Sequence, residues 1–196
     1  GLRGIETAKR MTRAVARALE LKERQVMVCS TGRIGVPLPI EKMEAAIGQK
    51  FPAALSRQGS GNVAKAIMTS DTFPKEIAVE CEIDGRSVRM GGVAKGAGMI
   101  DPNMATMLSF LTTDAAIEKA LLQRSLSVAV EHSFNRITVD GDMSTNDTVI
   151  LFANGLAGNK PLRPSSSGLK LFQRALEHIT QNLVRMIVED GEGVTK

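Results

Sequence analysis

The chain has 196 residues, 43% hydrophobic and 23% charged, with six Phe, no Trp or Tyr, two His and two Cys. That composition builds a globular core and contains no apolar run near the ~18 residues a membrane span needs; its scarcities argue against a multi-histidine or structural zinc centre and against base-stacking platforms. The net charge of +4 arises wholly within residues 1–24, where seven basic side chains meet three acidic ones, so it reads as a solvated helix face rather than a nucleic-acid surface.

Ile5, Ala8, Met11, Val15 and Leu19 recur every three or four residues and predict an amphipathic helix. Residue 1 is Gly and the helical pattern begins within a few residues, so the start reads as cut from a longer chain. Residues 25–30 (QVMVCS) predict a short buried strand running into Thr31-Gly32-Arg33-Ile34-Gly35. Pro39 suits the first turn of a second helix carrying Ile40, Met43, Ile47 and Phe51. A polar loop over 56–62 precedes a short helix through Ala66 and Met68.

The period then changes to two. Ile77, Val79, Cys81 and Ile83 alternate with charged residues, and Asp84-Gly85 is a hairpin signal before a strand at 86–90. Residues 107–111 predict a buried strand. A helix capped by Thr113 or Asp114 follows, carrying Ile117, Leu121, Ala129 and Phe134. Two more strands are expected at 135–139 and 148–153. A Gly/Pro/Ser loop over 155–168 leads to a last helix with Phe172, Leu176, Ile179, Leu183 and Ile187. Hairpins mixed with long helices indicate α+β layers, and no linker divides residues 1–196, which read as one domain. Cys29 and Cys81 each sit in an apolar strand-like segment, which fits two buried thiols in a reducing compartment, the cytoplasm, better than a disulfide framework.

The glycine cluster from Gly91 to Gly98 is neither a P-loop, since Lys95 is followed by Gly96 and Ala97, nor a dinucleotide fingerprint, since Asp101 stands where the third glycine belongs. It reads as a strand whose backbone comes close to another strand, with Lys95 a cation among small residues. Asp140, Asp142, Ser144 and Asp147 do not make a calcium loop, because Thr145 and Leu151 stand where Gly and Glu are required; no metal is expected, and the side chains are expected to cap turn backbone. His132 and His178 lie in helices without a serine–carboxylate constellation. Thr106, in Pro102-Asn103-Met104-Ala105-Thr106-Met107-Leu108, enters a strand and has one further chemical option. If its Oγ attacks the Ala105 carbonyl and that bond is broken, Thr106 gains a free α-amine, pKa near 8, beside its own hydroxyl. Such a nucleophile needs no histidine.

Six motifs, in order, resemble the ornithine acetyltransferase (glutamate N-acetyltransferase) family of arginine biosynthesis. They are Ser30-Thr-Gly-Arg-Ile-Gly35, Ala66-Ile-Met-Thr69-Ser-Asp71, Gly91-Gly-Val-Ala-Lys95-Gly-Ala-Gly-Met99, Met104-Ala-Thr-Met-Leu108, Asp140-Gly-Asp-Met-Ser-Thr-Asn-Asp147 and Asp190-Gly-Glu-Gly-Val-Thr-Lys196. The resemblance implies an αββα-type layered sandwich with mixed sheets flanked by helices. It also implies a precursor that cleaves itself between Ala105 and Thr106, whose halves stay together as α and β subunits of a hetero-oligomer. Thr106 would take the acetyl group of N-acetylornithine and pass it to glutamate in a ping-pong reaction. Thr31 and Gly32 match the oxyanion-stabilising pair, and Thr69, Lys95, Thr106 and Glu192 match substrate-binding positions. No cofactor is implied, with acetyl-CoA the second donor of bifunctional members; neither nucleic acid nor membrane is an expected partner. The family protein is about twice this long, so the chain reads as its central fragment. Two readings remain beside this one: an N-terminal-threonine amidohydrolase or aminopeptidase that uses water as acceptor, and a non-catalytic fragment.

Overall fold

The computed structural model describes residues 2–101, 107–142, 144 and 146–193. The chain divides into two units, Gly1–Gly59 and Ser60–Lys196.

In the first unit, helix α1 (Leu2–Ala18) packs on α2 (Ile40–Ala54). Both helices arise where the apolar spacing places them, and Pro39 stands one position earlier than expected, as the residue before α2. Part of the basic stripe of α1 is spent within the unit. Arg10 forks onto Glu44 (2.9 and 2.5 Å) and also reaches Glu41 at 3.1 Å. Arg13 lies 3.6 Å from Glu6 and 3.7 Å from Glu23. The expected strand at 25–30 does not form. Residues 23–25 make a 3-10 turn, and the chain runs on without a ladder, extended at Val26. Its run of apolar residues can become a strand only when another strand takes their N–H and C=O groups. None of the described residues does so, and Met27 is 59% exposed.

The second unit is built on one mixed four-stranded sheet in the order β1 (Lys75–Ile83), β2 (Arg86–Lys95), β3 (Leu108–Thr113), β4 (Thr148–Ala153). β1 and β2 form the expected hairpin, with Asp84 at φ 52° and Gly85 at φ 70°, the left-handed pair that a tight hairpin turn requires. β2 continues through the glycine cluster to Lys95 and pairs antiparallel with β3, Lys95 opposite Leu108. β3 and β4 are parallel, which demands a crossover, and α4 (Lys119–Glu131) supplies it. On one face, α5 (Ser167–Glu189) lies across β1 and β2, with α4 beside it. The five residues of the α5 stripe, Phe172, Leu176, Ile179, Leu183 and Ile187, are all fully buried. The short helix α3 (Ser60–Ala66) packs on β1 and β2 from the opposite face, where Gly61 lies beside Glu76. The α+β class, with a mixed sheet flanked by helices, is therefore what the structure shows.

Two boundaries differ from expectation for tertiary reasons. Thr113 ends β3, its Oγ donating to the Arg89 carbonyl (2.8 Å), while the Asp114 carboxylate accepts the Arg89 N–H at 2.7 Å. Both candidate caps are thus spent on β2, and α4 begins at Lys119. The strand expected at 135–139 is instead a 3-10 turn at Phe134–Arg136, followed by residues docked on the Ile100 carbonyl through the Val139 N–H (2.7 Å) and the Thr138 hydroxyl (3.0 Å). Cys29 and Cys81 are free thiols, both half-buried; burial pushes the Cys81 thiol up.

Candidate active site at the end of the sheet

The sheet's register brings the start of β1, the end of β2 and the starts of β3 and β4 to one end. The carboxyl end of α5 arrives at the same place. Alternation along β2 decides where Lys95 points: Ala94, paired with Lys75, faces α5, so Lys95 faces the other way. Its side chain is buried, the residue being 3% exposed, and Nζ donates to the Thr69 hydroxyl at 2.7 Å. Among the described residues no carboxylate forms an ion pair with it. Burial pushes the Lys95 ammonium below its ordinary value, nearby Asp71 works against that, and Lys75 adds to it. A buried cation with a neutral partner is a site for a carboxylate.

Glu192 follows α5 by three residues. Its N–H donates to the Ala97 carbonyl at 2.8 Å, and its exposed carboxylate lies against Gly98, whose Cβ, were there one, would stand 3.3 Å from it. Thr69, Lys95 and Glu192 are therefore gathered at this end of the sheet, one through a side-chain bond and one through the strand extension.

Ala105 and Thr106 lie outside the described residues. Covalent geometry still links Thr106 to Met107, which is fully buried. Met107 donates its N–H to Asp147 Oδ1 at 3.0 Å, and its carbonyl accepts from Thr148. On the other side, the Asp140 carboxylate accepts the N–H groups of Met99 and of Ile100 (2.8 Å). The same carboxylate closes an Asx turn on Asp142, as the sequence led one to expect of side chains that cap backbone. The chain on either side of residues 102–106 is thus held by carboxylates of one loop. Burial leaves Asp147 above the usual carboxylate range despite its bonds, whereas the amides bound to Asp140 outweigh burial and hold it below. Thr31 and Gly32 belong to the first unit, Thr31 half-buried and Gly32 exposed with open space where a Cβ would be.

Residues 1–196 match the model of the ArgJ family. The chain belongs to that family. It is 50% identical over its whole length to the arginine biosynthesis bifunctional protein ArgJ of Caldanaerobacter subterraneus subsp. tengcongensis, of which it covers 48%. It is 49% identical over 195 residues to the glutamate N-acetyltransferase of Methanocaldococcus jannaschii, covering 98% of this chain and 48% of that one. Among solved structures it is similar to the ArgJ protein of Bacillus halodurans, 50% identical over 46% of this chain and 43% of that one, with a TM-score of 0.45. The chain spans about half the length of the curated relatives it matches.

Beside the residues that the ArgJ resemblance singles out, the structure shows three that sequence reasoning missed: Asp71, Lys75 and Asp190. Lys75 Nζ lies 2.7 Å from Asp71 Oδ1 and 2.5 Å from Asp190 Oδ2, all three side chains being buried. A signal was present. Lys75 is in phase with Ile77, Val79, Cys81 and Ile83, and Asp190 falls one helical step beyond Leu183 and Ile187, so both are charges at core positions. Burial pushes both carboxyls up, yet their hydrogen bonds outweigh it and hold them below the usual range. Their folded pKa values lie below the unfolded ones, so the stability they add is complete above the unfolded pKa and is lost as pH falls through the folded value. Thermal melts are therefore expected to show a stability loss that sets in below roughly pH 4 and is shallower in Asp190→Asn. Identical slopes would contradict this.

Proposed function

We propose that this chain forms the central part of an acetyltransferase that moves an acetyl group from N-acetylornithine to glutamate by a ping-pong reaction. The observation that carries the reading is the buried Lys95 ammonium, partnered among the described residues by a hydroxyl alone, at the sheet end where Met107 enters β3. In this reading Thr106 Oγ attacks the Ala105 carbonyl carbon, the peptide nitrogen leaves as an amine, and water hydrolyses the resulting ester. The new α-amine then serves as the base for the same Oγ. Oγ attacks the acetyl carbonyl, ornithine leaves with the proton, and glutamate takes the acetyl group by the reverse steps. Thr31 and Gly32 stabilise the oxyanion of each tetrahedral intermediate. Lys95 and Thr69 bind the substrate carboxylate, and Glu192 faces its ammonium or moves a proton.

The cut would fall between β2 and β3, so β1 and β2 come from one product and β3 and β4 from the other. Six register pairs between β2 and β3, with α5 lying across β1 and β2, would hold the halves together as subunits.

Intact mass measurement under denaturing conditions tests the maturation, and the fate of labelled acetyl tests the reaction. Two pieces with a boundary after Ala105, and label on glutamate, are expected in the full-length protein. Label released as acetate would instead favour a hydrolase, and one unbroken, active species would sink the mechanism. With acetyl-CoA in the donor panel, the same assay separates bifunctional from monofunctional behaviour. Lys95→Met is expected to raise KM for N-acetylornithine about 10- to 100-fold, the worth of one hydrogen bond between charged groups. An unchanged KM in initial-rate kinetics would remove Lys95 from the site.

A further inference from the structure

Every oxygen of the two buried carboxylates is occupied. Asp71 Oδ1 accepts from Lys75 Nζ (2.7 Å) and from the Gly96 N–H (2.7 Å), and Oδ2 accepts from the Thr69 N–H (3.0 Å). Asp190 accepts from the Thr72 N–H (2.9 Å), from the Thr72 hydroxyl and from Lys75 Nζ (2.5 Å). Lys75 completes its shell with the Phe73 carbonyl at 3.5 Å and lies 4.9 Å from the centroid of the Phe73 ring.

The groups held by these bonds are the neighbours of the candidate substrate-binding residues. Gly96 follows Lys95, and Thr69 supplies the hydroxyl that Lys95 meets, so Asp71 fixes both partners of the Lys95–Thr69 bond. Asp190 fixes the chain two residues before Glu192, whose N–H is tied to Ala97. Lys75 joins the two carboxylates and thereby connects the Thr69–Lys95 pair to the Glu192 segment.

Stability is a poor reason for such a network. Burying three charges carries a desolvation cost that a well-packed apolar cluster avoids. A carboxylate at the carboxyl end of α5 also stands at the wrong pole of the helix dipole. What an apolar cluster lacks is direction: it fills space without fixing the register of three chain segments.

We infer that Lys75, Asp71 and Asp190 form a positioning network that sets the placement of Lys95, Thr69 and Glu192 around a carboxylate-bearing substrate. The inference rests on the acetyltransferase reading for the identity of that substrate. None of the three touches substrate; each acts through a neighbour.

The test uses the purified full-length protein with Lys75→Arg, Lys75→Met and Asp190→Asn, each measured for fold by circular dichroism and for KM and kcat with N-acetylornithine. Rates are expressed per active site titrated as acetylated threonine, so that unfolded protein does not count. Folded variants are expected to show KM raised about tenfold or more, with kcat per titrated site changed less than about threefold, the split expected for loss of substrate placement. Lys75→Arg, which keeps the charge, is expected to lie nearest wild type. Folded variants with wild-type KM would overturn the proposal, since a purely structural role lowers stability and leaves KM alone. If none of the three folds, the network holds the fold itself and the positioning role falls. If wild type transfers no acetyl group, the acetyltransferase reading fails instead, and a crystal structure of Asp190→Asn decides the network. Loss of the Lys95–Thr69 or Glu192–Ala97 bond would support it, and retention of both would overturn it.

Discussion

Thr106→Ala is expected to leave the full-length protein as one unbroken chain and to reduce acetyl transfer by at least about 10⁴-fold, since nucleophile and base act as a unit. In the proposed mechanism one residue serves both steps: its Oγ would break the Ala105–Thr106 bond and then carry the acetyl group, and the amine freed by the first step would be the base for the second. An ordinary α-amine has a pKa near 8, so such a base would be available at neutral pH without any histidine. Thr106→Ser keeps the oxygen and is expected to cleave, more slowly, with residual transfer. The fold is expected to survive either change. Met107 is held by Asp147, and β3 begins at Leu108. Intact mass, a thermal melt and the labelled-acetyl assay on the two variants check each part. A cleaved Ala variant, or an unbroken one with near wild-type transfer, would remove Thr106 from the mechanism.

Features decided by local sequence were legible. Asp84-Gly85 dictates its turn through two left-handed residues, and the α5 stripe from Phe172 to Ile187 spells out one buried helix face. Features decided by a distant partner were not. Residues 25–30 have a strand's pattern, but a pattern does not supply a neighbour. Asp114 looks like a helix cap, but Arg89 claims it. The site divides in the same way. Lys95, Thr69 and Glu192 could be named from the resemblance, and Asp140 and Asp147 were readable as backbone caps, although not which backbone they hold. Lys75 and Asp190 were visible singly as charges in core phase. Their pairing spans 115 residues and depends on α5 ending over the start of β1, which only the topology decides.

Gly92→Val is expected to destabilise the second unit by about 3 kcal/mol, the upper part of the range for overpacking a filled core. That is a large share of the roughly 5–15 kcal/mol by which a domain is stable. Gly92 sits opposite Leu111 on the face covered by α5. A Cβ there would overlap Leu111 Cδ2 and stand 3.1 Å from Leu183 Cδ1 and 3.2 Å from Ile179 Cγ2, where carbon atoms prefer roughly 3.5–4.0 Å. Leu111 cannot swing clear, because it, Leu183 and Ile179 are all fully buried. Even Gly92→Ala is expected to cost about 1–3 kcal/mol. Leu111→Ala alone leaves a cavity and costs about 2–5 kcal/mol, but it also vacates the space a Cβ at residue 92 would take. Denaturation midpoints of the two single variants and the double variant should therefore show the double less unstable than the sum by about 1 kcal/mol or more. The same contact has a functional side. Residue 92 is three positions from Lys95 on β2, and Leu183 is seven from Asp190 at the end of α5, so the closeness allowed by glycine brings strand and helix to the distance at which Lys75 reaches Asp190. An additive cycle would show that Leu111 yields independently of residue 92, and would overturn the reading of Gly92 as the point where helix and sheet close.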